Sequence, residues 1–284
     1  MENSQEILSI LNTLEMQRVA ELKKFGIIAL VVLSVNILFF IKFRSNFIPS
    51  LIISFIVLIG SYYFINTKYK NEVQTFLIPK ILKEVDLDYK YAPNLKIDID
   101  KFNDLKFFSH KLDESQSDGC VSLKVKNQTL HFWFVTLESA KIDTEEGRHG
   151  TTRFKGLFVE LELTPRVNQK YLIGQKTART PVFEAGDYLN PPHMGLKLVG
   201  TLDDDWLLYS QNGTSNLRND FLEKLKIFKE NLKVPMWVIF DKNRVYIFSQ
   251  SVKGSFEVSL FSSLKNDSFV KNYIELLGEL KKLL

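Results

Sequence analysis

The sequence predicts an α+β fold, in which an N-terminal two-helix transmembrane hairpin precedes a mixed, mainly antiparallel sheet domain with two or more flanking helices. Three observations predict it. Two long uncharged apolar runs lie close together near the N-terminus, short alternating runs fill the middle of the chain, and amphipathic helical stripes occur at both ends. The composition agrees, since 45% hydrophobic and 13% aromatic residues in a chain of 284 are enough for a sizeable core.

Residues 1–24 place Ile7, Leu11 and Leu14, with Val19 and Leu22 one step out of register, along one stripe of an amphipathic helix. From Phe25 to Ile41 the chain is uncharged for 17 residues, and from Phe47 to Ile65 for 19. At about 1.5 Å per residue, such runs cover the roughly 30 Å of a hydrocarbon core. The link from Lys42 to Asn46 is so short that residues 25–65 must form an antiparallel hairpin, with both ends on one side. Arg18, Lys23 and Lys24 before it and Lys68, Lys70, Lys80 and Lys83 after it outnumber Lys42 and Arg44 in the turn. The positive-inside bias then predicts two spans of a bacterial inner membrane with both termini cytoplasmic. Four glutamates precede the first run and no small-residue cleavage site follows it, so the run is expected to persist as an anchor. Asn36 and Ser34 in the first run, and Pro49, Ser54 and Gly60 in the second, read as helix-pairing residues.

Residues 66–92 continue as a juxtamembrane stalk helix that Pro79 should kink or break. Residues 93–284 read as one cytoplasmic α+β domain. Cys120–Lys126, Thr129–Glu138 and Arg153–Leu163 predict a three-stranded meander, with aromatics on both faces and hence cover on each side. Residues 164–195 carry Pro165, Pro181, Pro191 and Pro192 without periodicity and read as a loop. Leu196–Gly200 and Trp206–Ser210 read as short strands, and Leu217–Leu232 as a helix with Leu217, Phe221, Leu225, Phe228 and Leu232 on one stripe. Pro235–Phe240 and Arg244–Ser249 form a hairpin, Phe256–Leu260 an edge strand, and Asp267–Leu284 a closing helix.

Three stretches carry a family resemblance: Phe154–Phe158 (Phe-Lys-Gly-Leu-Phe), Leu198–Ser210 with the helix after it, and Val238–Phe248. With the anchored N-terminus, they resemble a bacterial membrane-protein family known only as domain of unknown function 3137. Where that family tends to have Ala-Arg-Tyr before the helix, this chain has Asn216-Leu217-Arg218-Asn219. The resemblance implies the topology and fold and supplies no catalytic residues.

A net charge of +4, from 37 basic and 33 acidic side chains, is far from the basic excess that nucleic-acid binding requires, so no nucleic-acid partner is expected. Cys120, the single cysteine, excludes an internal disulfide and reads as a buried thiol. The four histidines, His110, His131, His149 and His193, lack the spacing of metal ligands, and His131 reads as a packed imidazole in an aromatic strand. No nucleophile elbow, Walker loop or dinucleotide fingerprint occurs, so no catalytic residue, cofactor or metal is assigned. Asp203, Asp204 and Asp205 read as a solvated turn before Trp206. Arg148, His149, Arg153 and Lys155 make a basic hairpin tip that can touch anionic lipid head groups, beside Glu145 and Glu146.

The functional expectation is a membrane-anchored cytoplasmic interaction or regulatory module. Its partners are the lipid bilayer and either a protein or a second copy met through the N-terminal helix. The alternative is a membrane-tethered enzyme acting on a lipid-derived or surface-confined substrate, with His193, Asp187 and Glu184 in a pocket formed by the proline-rich loop.

Overall fold

The structure, a computed structural model, describes residues 2–42, 47–85, 88–93, 95–108, 111–125, 128–144, 147–163, 166–175, 194–203, 205–250, 258–264 and 268–284. They fall into two compact units, residues 1–84 with 257–271 and residues 85–256 with 272–284.

The first unit is built on two long helices, α1 (Glu2–Lys42) and α2 (Phe47–Glu84). No proline interrupts α1, so the amphipathic segment and the first apolar run are one continuous helix. The expected stalk helix over 66–92 is corrected at its end: α2 runs through Pro79 to Glu84, and residues 88–92 form a strand. A proline inside a helix costs about 3 kcal/mol. Leu77, Ile78, Ile81 and Leu82 around it are fully buried, and each such burial contributes about 1.5–3 kcal/mol.

The helices pair in strict counter-order. Asn36 meets Ser50 and Ser54, Phe25 meets Tyr62 at 6.0 Å, Glu21 meets Lys68 at 3.2 Å, and Glu6 meets Lys80. Both helices are long and apolar enough to cross a membrane. Most of their described Ile, Leu, Val and Phe side chains between Ile27 and Phe64 point outward, the reverse of a core helix in a soluble protein. Lipid is the solvent that suits such an exterior, and the chain is a membrane protein on that ground. Inside the pair Asn36 is only 7% exposed. Its Nδ2 donates to Ser54 Oγ (2.6 Å) and Val32 O (2.8 Å), and Ser50 Oγ donates to its Oδ1 (2.6 Å). Asn36 and Ser54 therefore act as a helix-pairing clamp.

Residues 258–264 belong to this unit. Val258–Leu260 form no strand, correcting that part of the edge strand expected over Phe256–Leu260; Phe256 and Glu257 lie outside the described residues. The Leu260 backbone bonds to helix side chains instead of a ladder, its N–H donating to Asn66 Oδ1 (2.8 Å) and its carbonyl accepting from Arg18 Nη1 (2.9 Å).

The second unit holds nine strands among the described residues: β1 (Asp88–Ala92), β2 (Leu112–Val125), β3 (Gln128–Thr144), β4 (Gly147–Glu162), β5 (Tyr171–Gln175), β6 (Lys197–Thr201), β7 (Trp206–Ser210), β8 (Met236–Asp241) and β9 (Arg244–Gln250). They form one sheet in the order β1-β2-β3-β4-β9-β8-β5-β7-β6, antiparallel at every pairing. The expected meander is β2–β3–β4, longer in each strand than the apolar runs alone indicate. Helices α3 (Ile99–Leu105), α4 (Asn219–Leu232) and α5 (Ser268–Leu283) complete the chain.

Alternation along β3 sends Trp133, Val135 and Leu137 to one face, where they join Phe154 and Phe158 of β4, Tyr246 and Phe248 of β9, and Phe102 of α3. Phe102 meets Phe158 edge-on at 4.8 Å, and Phe107 stacks on Phe248 at 4.2 Å. Phe132 and Phe134 on the opposite face are also buried, so the sheet is covered on both sides. Gly156, between the two phenylalanines of β4, has a packing cause: a Cβ there would lie 2.2 Å from the Ser249 carbonyl oxygen. Asp98 caps α3 by accepting from Asp100 N (3.0 Å), and Lys106 closes it in the left-handed region at φ 54°. Lys170 Nζ then donates to Leu105 O (2.7 Å) at the carbonyl end of that helix. In α4 the buried stripe is Leu222, Leu225 and Phe228, while Phe221 is half-buried and meets Phe240 edge-on at 5.9 Å.

Candidate functional site

Antiparallel pairing brings one end of β5, β7 and β8 beside the start of α4 and the end of α5, and a groove of about 430 Å³ opens there. Its size lies in the range of small-ligand and peptide-side-chain pockets. The segment after β4 forms one wall, held to the β8–β9 turn by Leu163 N donating to Asn243 O and Val167 N to Lys242 O, both 2.7 Å. The segment between β7 and α4 forms the other wall.

Gln169 ties the walls together. Its Nε2 donates to Tyr171 Oη and Thr214 O, each at 3.0 Å, and its Oε1 accepts from Asn212 N at 3.0 Å. Tyr171 Oη also accepts from Asn216 N (3.2 Å). Leu163, Val167, Leu217, Phe221, Phe240 and Leu283 supply apolar lining. The charged lining is Arg166, Arg218, Asp220 and Lys224. Arg218 is bound to Asp220 (2.5 Å), whereas Arg166 and Lys224 have no ion-pair partner among the described residues. The groove therefore combines an apolar floor with two uncommitted cations, a setting for an anionic group attached to an apolar body.

A second polar constellation lies across the middle of the sheet. Ser122, His131, Glu160 and Tyr246 are successive cross-strand partners on β2, β3, β4 and β9. Ser122 Oγ and His131 Nδ1 are hydrogen-bonded at 2.7 Å. Glu160 is buried and holds Lys101 Nζ (2.5 Å) on one oxygen and Arg244 Nη1 (2.6 Å) on the other.

This row has the residue types of a nucleophile relay but is arranged for structure. Burial holds the His131 imidazole below its usual range against the opposing charge of Glu160, so it is a poor base. Both Glu160 oxygens already hold cations, and Ser122 lies inside the sheet, paired by β1 on one side and β3 on the other. Cys120 is buried and its thiol is pushed up to about 11 by desolvation, so it carries no thiolate at neutral pH. His131 is thus a packed strand imidazole and Cys120 a buried thiol.

Asp203 Oδ1 accepts from Asp205 N (2.9 Å) and Trp206 N (2.7 Å), with Lys229 Nζ 3.4 Å from its other oxygen and over the Trp206 ring at 4.8 Å. Burial opposes ionisation of Asp203, yet those backbone donors and the lysine together hold its carboxyl below the usual range. The turn is closed by its own hydrogen bonds; Asp204 lies outside the described residues. Among the described residues no three His, Cys, Asp or Glu side chains converge to hold a metal.

The backbone of the expected basic tip is the β3–β4 turn, where Asp143 pairs with Arg148 and Ile142 with His149. The side chains of Arg148, His149 and Arg153 lie outside the described residues, and Lys155 is exposed on β4 opposite Thr136. Glu184, Asp187 and His193, like His110, lie outside the described residues. Among the described residues of the proline-rich stretch, residues 166–169 and Tyr171 line the groove. The groove gave no local signal in sequence, because its residues run from Gln128 to Leu284 and only the strand order assembles them.

No family model matches the chain, and no curated protein matches it in sequence. Among solved structures, the crystal structure of the mycobacterial trehalose monomycolate transport factor A, TtfA, is similar at 10% identity over 72% of this chain and 92% of that chain, with a TM-score of 0.30. A likeness that loose carries no argument.

Proposed function

We propose that the chain is a membrane-anchored interaction module, whose hairpin sits in a bacterial inner membrane with both termini cytoplasmic. In this reading its α+β unit holds a partner protein through the groove beside α4. The observation that carries it is the pair Arg166 and Lys224, uncommitted beside an apolar floor whose walls are otherwise hydrogen-bonded to each other. The complementary partner presents an acidic side chain next to an apolar one. Anchoring raises its local concentration at the membrane. The resemblance to domain of unknown function 3137 fits the same reading. An association between copies through the N-terminal helix would use Leu8, Met16 and Val19, which face outward, since Ile7, Leu11 and Leu14 are already buried. The basic residues Arg148, His149 and Arg153 near the β3–β4 turn, with Lys155 farther along β4, are the corresponding candidate for anionic lipid, supported by their charge.

The test places a photo-crosslinking amino acid at Thr214, and separately at Asn168, in the full chain in cells. The expected result is a discrete adduct from at least one position, reduced at least tenfold by Arg166→Glu combined with Lys224→Glu. Absence of an adduct at both positions, or an adduct indifferent to the charge reversal, overturns the groove as the contact.

A further inference from the structure

The segment 258–264 lies almost 200 residues beyond the hairpin in sequence, yet it is strapped to the helix pair by two hydrogen bonds to one residue. Arg18 Nη1 holds the Leu260 carbonyl, and Asn66 Oδ1 holds its N–H. Arg18 is itself fixed by Glu15, at 2.7 and 3.0 Å. The apolar side chains Val258, Leu260 and Leu264 are buried, while Phe261 between them is turned outward and is 63% exposed. The tight turn is closed by Ser262 N donating to Ser259 O (3.0 Å) and Phe261 N to Ser259 Oγ (3.2 Å).

Where Phe261 points is informative. Its ring stacks on Tyr62 at 5.3 Å and 15°, and meets Phe25 edge-on at 6.3 Å. Phe25 opens the first uncharged run and Tyr62 lies near the end of the second, so the three rings mark one level of the antiparallel pair. On the side away from the apolar runs stand Lys24, Glu21 and Lys68, the two lysines bound to Glu21 at 2.8 and 3.2 Å. On the other side begin the outward Ile27, Leu30 and Ile59. Aromatic rings between an apolar band and a charged band occupy the place where acyl chains meet head groups.

We infer that residues 258–264 form a third membrane contact, in which Phe261 inserts at the acyl–headgroup boundary beside Phe25 and Tyr62. The occupant of the exposed Phe261 face is lipid, because that face continues the outward apolar surface of the spans. Arg18 and Asn66 hold the ring there, so the contact is preformed. The inference rests on the hairpin spanning a bilayer and is independent of the groove.

The test uses the full chain in nanodiscs of phosphatidylcholine and phosphatidylglycerol, in a Cys120→Ser background. An environment-sensitive fluorophore is placed at Phe261→Cys and, separately, at Leu33→Cys within the first span. Lipids spin-labelled near the head group should quench the Phe261 probe at least twofold more than lipids labelled near the acyl terminus, and the Leu33 probe should show the opposite preference. A Phe261 probe quenched by aqueous iodide and not by lipid, or by neither, overturns the inference; failure at Leu33 overturns the span itself. Phe261→Trp preserves the ring and guards against a strap loosened by cysteine. Its added emission should be quenched by lipids brominated near the head group, and emission indifferent to them refutes the contact even where the cysteine variant misfolds.

Discussion

The two units obey the same chemistry with opposite solvents. In the helical pair Leu33 is 61% exposed and Asn36 is hidden, whereas in the α+β unit Phe158 and Trp237 are fully buried and the polar groups of the groove face outward. Water drives apolar area inward in the second unit. Lipid removes that drive in the first and leaves interhelical hydrogen bonds and close packing to hold the helices. The lesson is that burial alone does not rank importance in this chain. A large apolar residue matters where water would otherwise meet it, and a polar residue matters where lipid would.

Four experiments set the regions against each other. All three tryptophans, Trp133, Trp206 and Trp237, lie in the α+β unit, so intrinsic fluorescence reports its unfolding selectively. Phe158→Ala should cost about 3–5 kcal/mol in urea unfolding, because its ring contacts Phe102, Trp133, Tyr246 and Phe248. Leu33→Ala should change that unfolding by less than about 0.5 kcal/mol. Equal losses would erase the contrast.

Glycine provides the next comparison. Gly156→Ala drives a Cβ into the β9 backbone and should cost about 3 kcal/mol, while Gly60→Ala, with open space around its Cβ, should leave the hairpin intact. A tolerated Gly156→Ala would mean that β4 and β9 are not this close. Asn36→Leu should loosen the helix pair by about 0.6–1.7 kcal/mol. Spin labels on the two helices in bicelles would read this as a broadened distance distribution, and an unchanged distribution would assign the pairing to packing alone.

The smallest effect concerns pH. Burial holds His131 below its unfolded value near 6.5, so below that pH the unfolded chain binds more protons. The His131 contribution is therefore full above about pH 6.5 and is lost as pH falls toward the lowered folded value. His131→Gln, which can keep a bond to Ser122, should flatten the fall in urea midpoint between about pH 7 and 5.5. An unaltered slope would place the acid sensitivity elsewhere.

The same contrast explains what could be read from sequence. The spans were legible because lipid demands long uncharged runs, and β3, β4, β8 and β9 because aromatic and branched residues crowd them. β1 (Asp-Tyr-Lys-Tyr-Ala) and α3, seven residues long, were not legible: each is too short to show a period and is held by pairing or caps supplied from elsewhere. β5 was hidden in a proline-rich stretch, and Val258–Leu260 imitated a strand because their apolar side chains are buried without any ladder. The cross-strand row of Ser122, His131 and Glu160 depends on register, which no local pattern specified.

The unbroken length of α1 has a mechanical consequence. Its 41 residues span about 60 Å, of which about 35 Å precede the uncharged run. Clamped to α2 at Asn36 within the apolar stretch and by Glu21 and Glu6 beyond it, the pair forms a lever whose fulcrum is the bilayer. A tilt of about 20°, the usual response to mismatch with bilayer thickness, would sweep the far end sideways by about 12 Å. In a bilayer, thinning or thickening would then displace the part of the pair that lies beyond it.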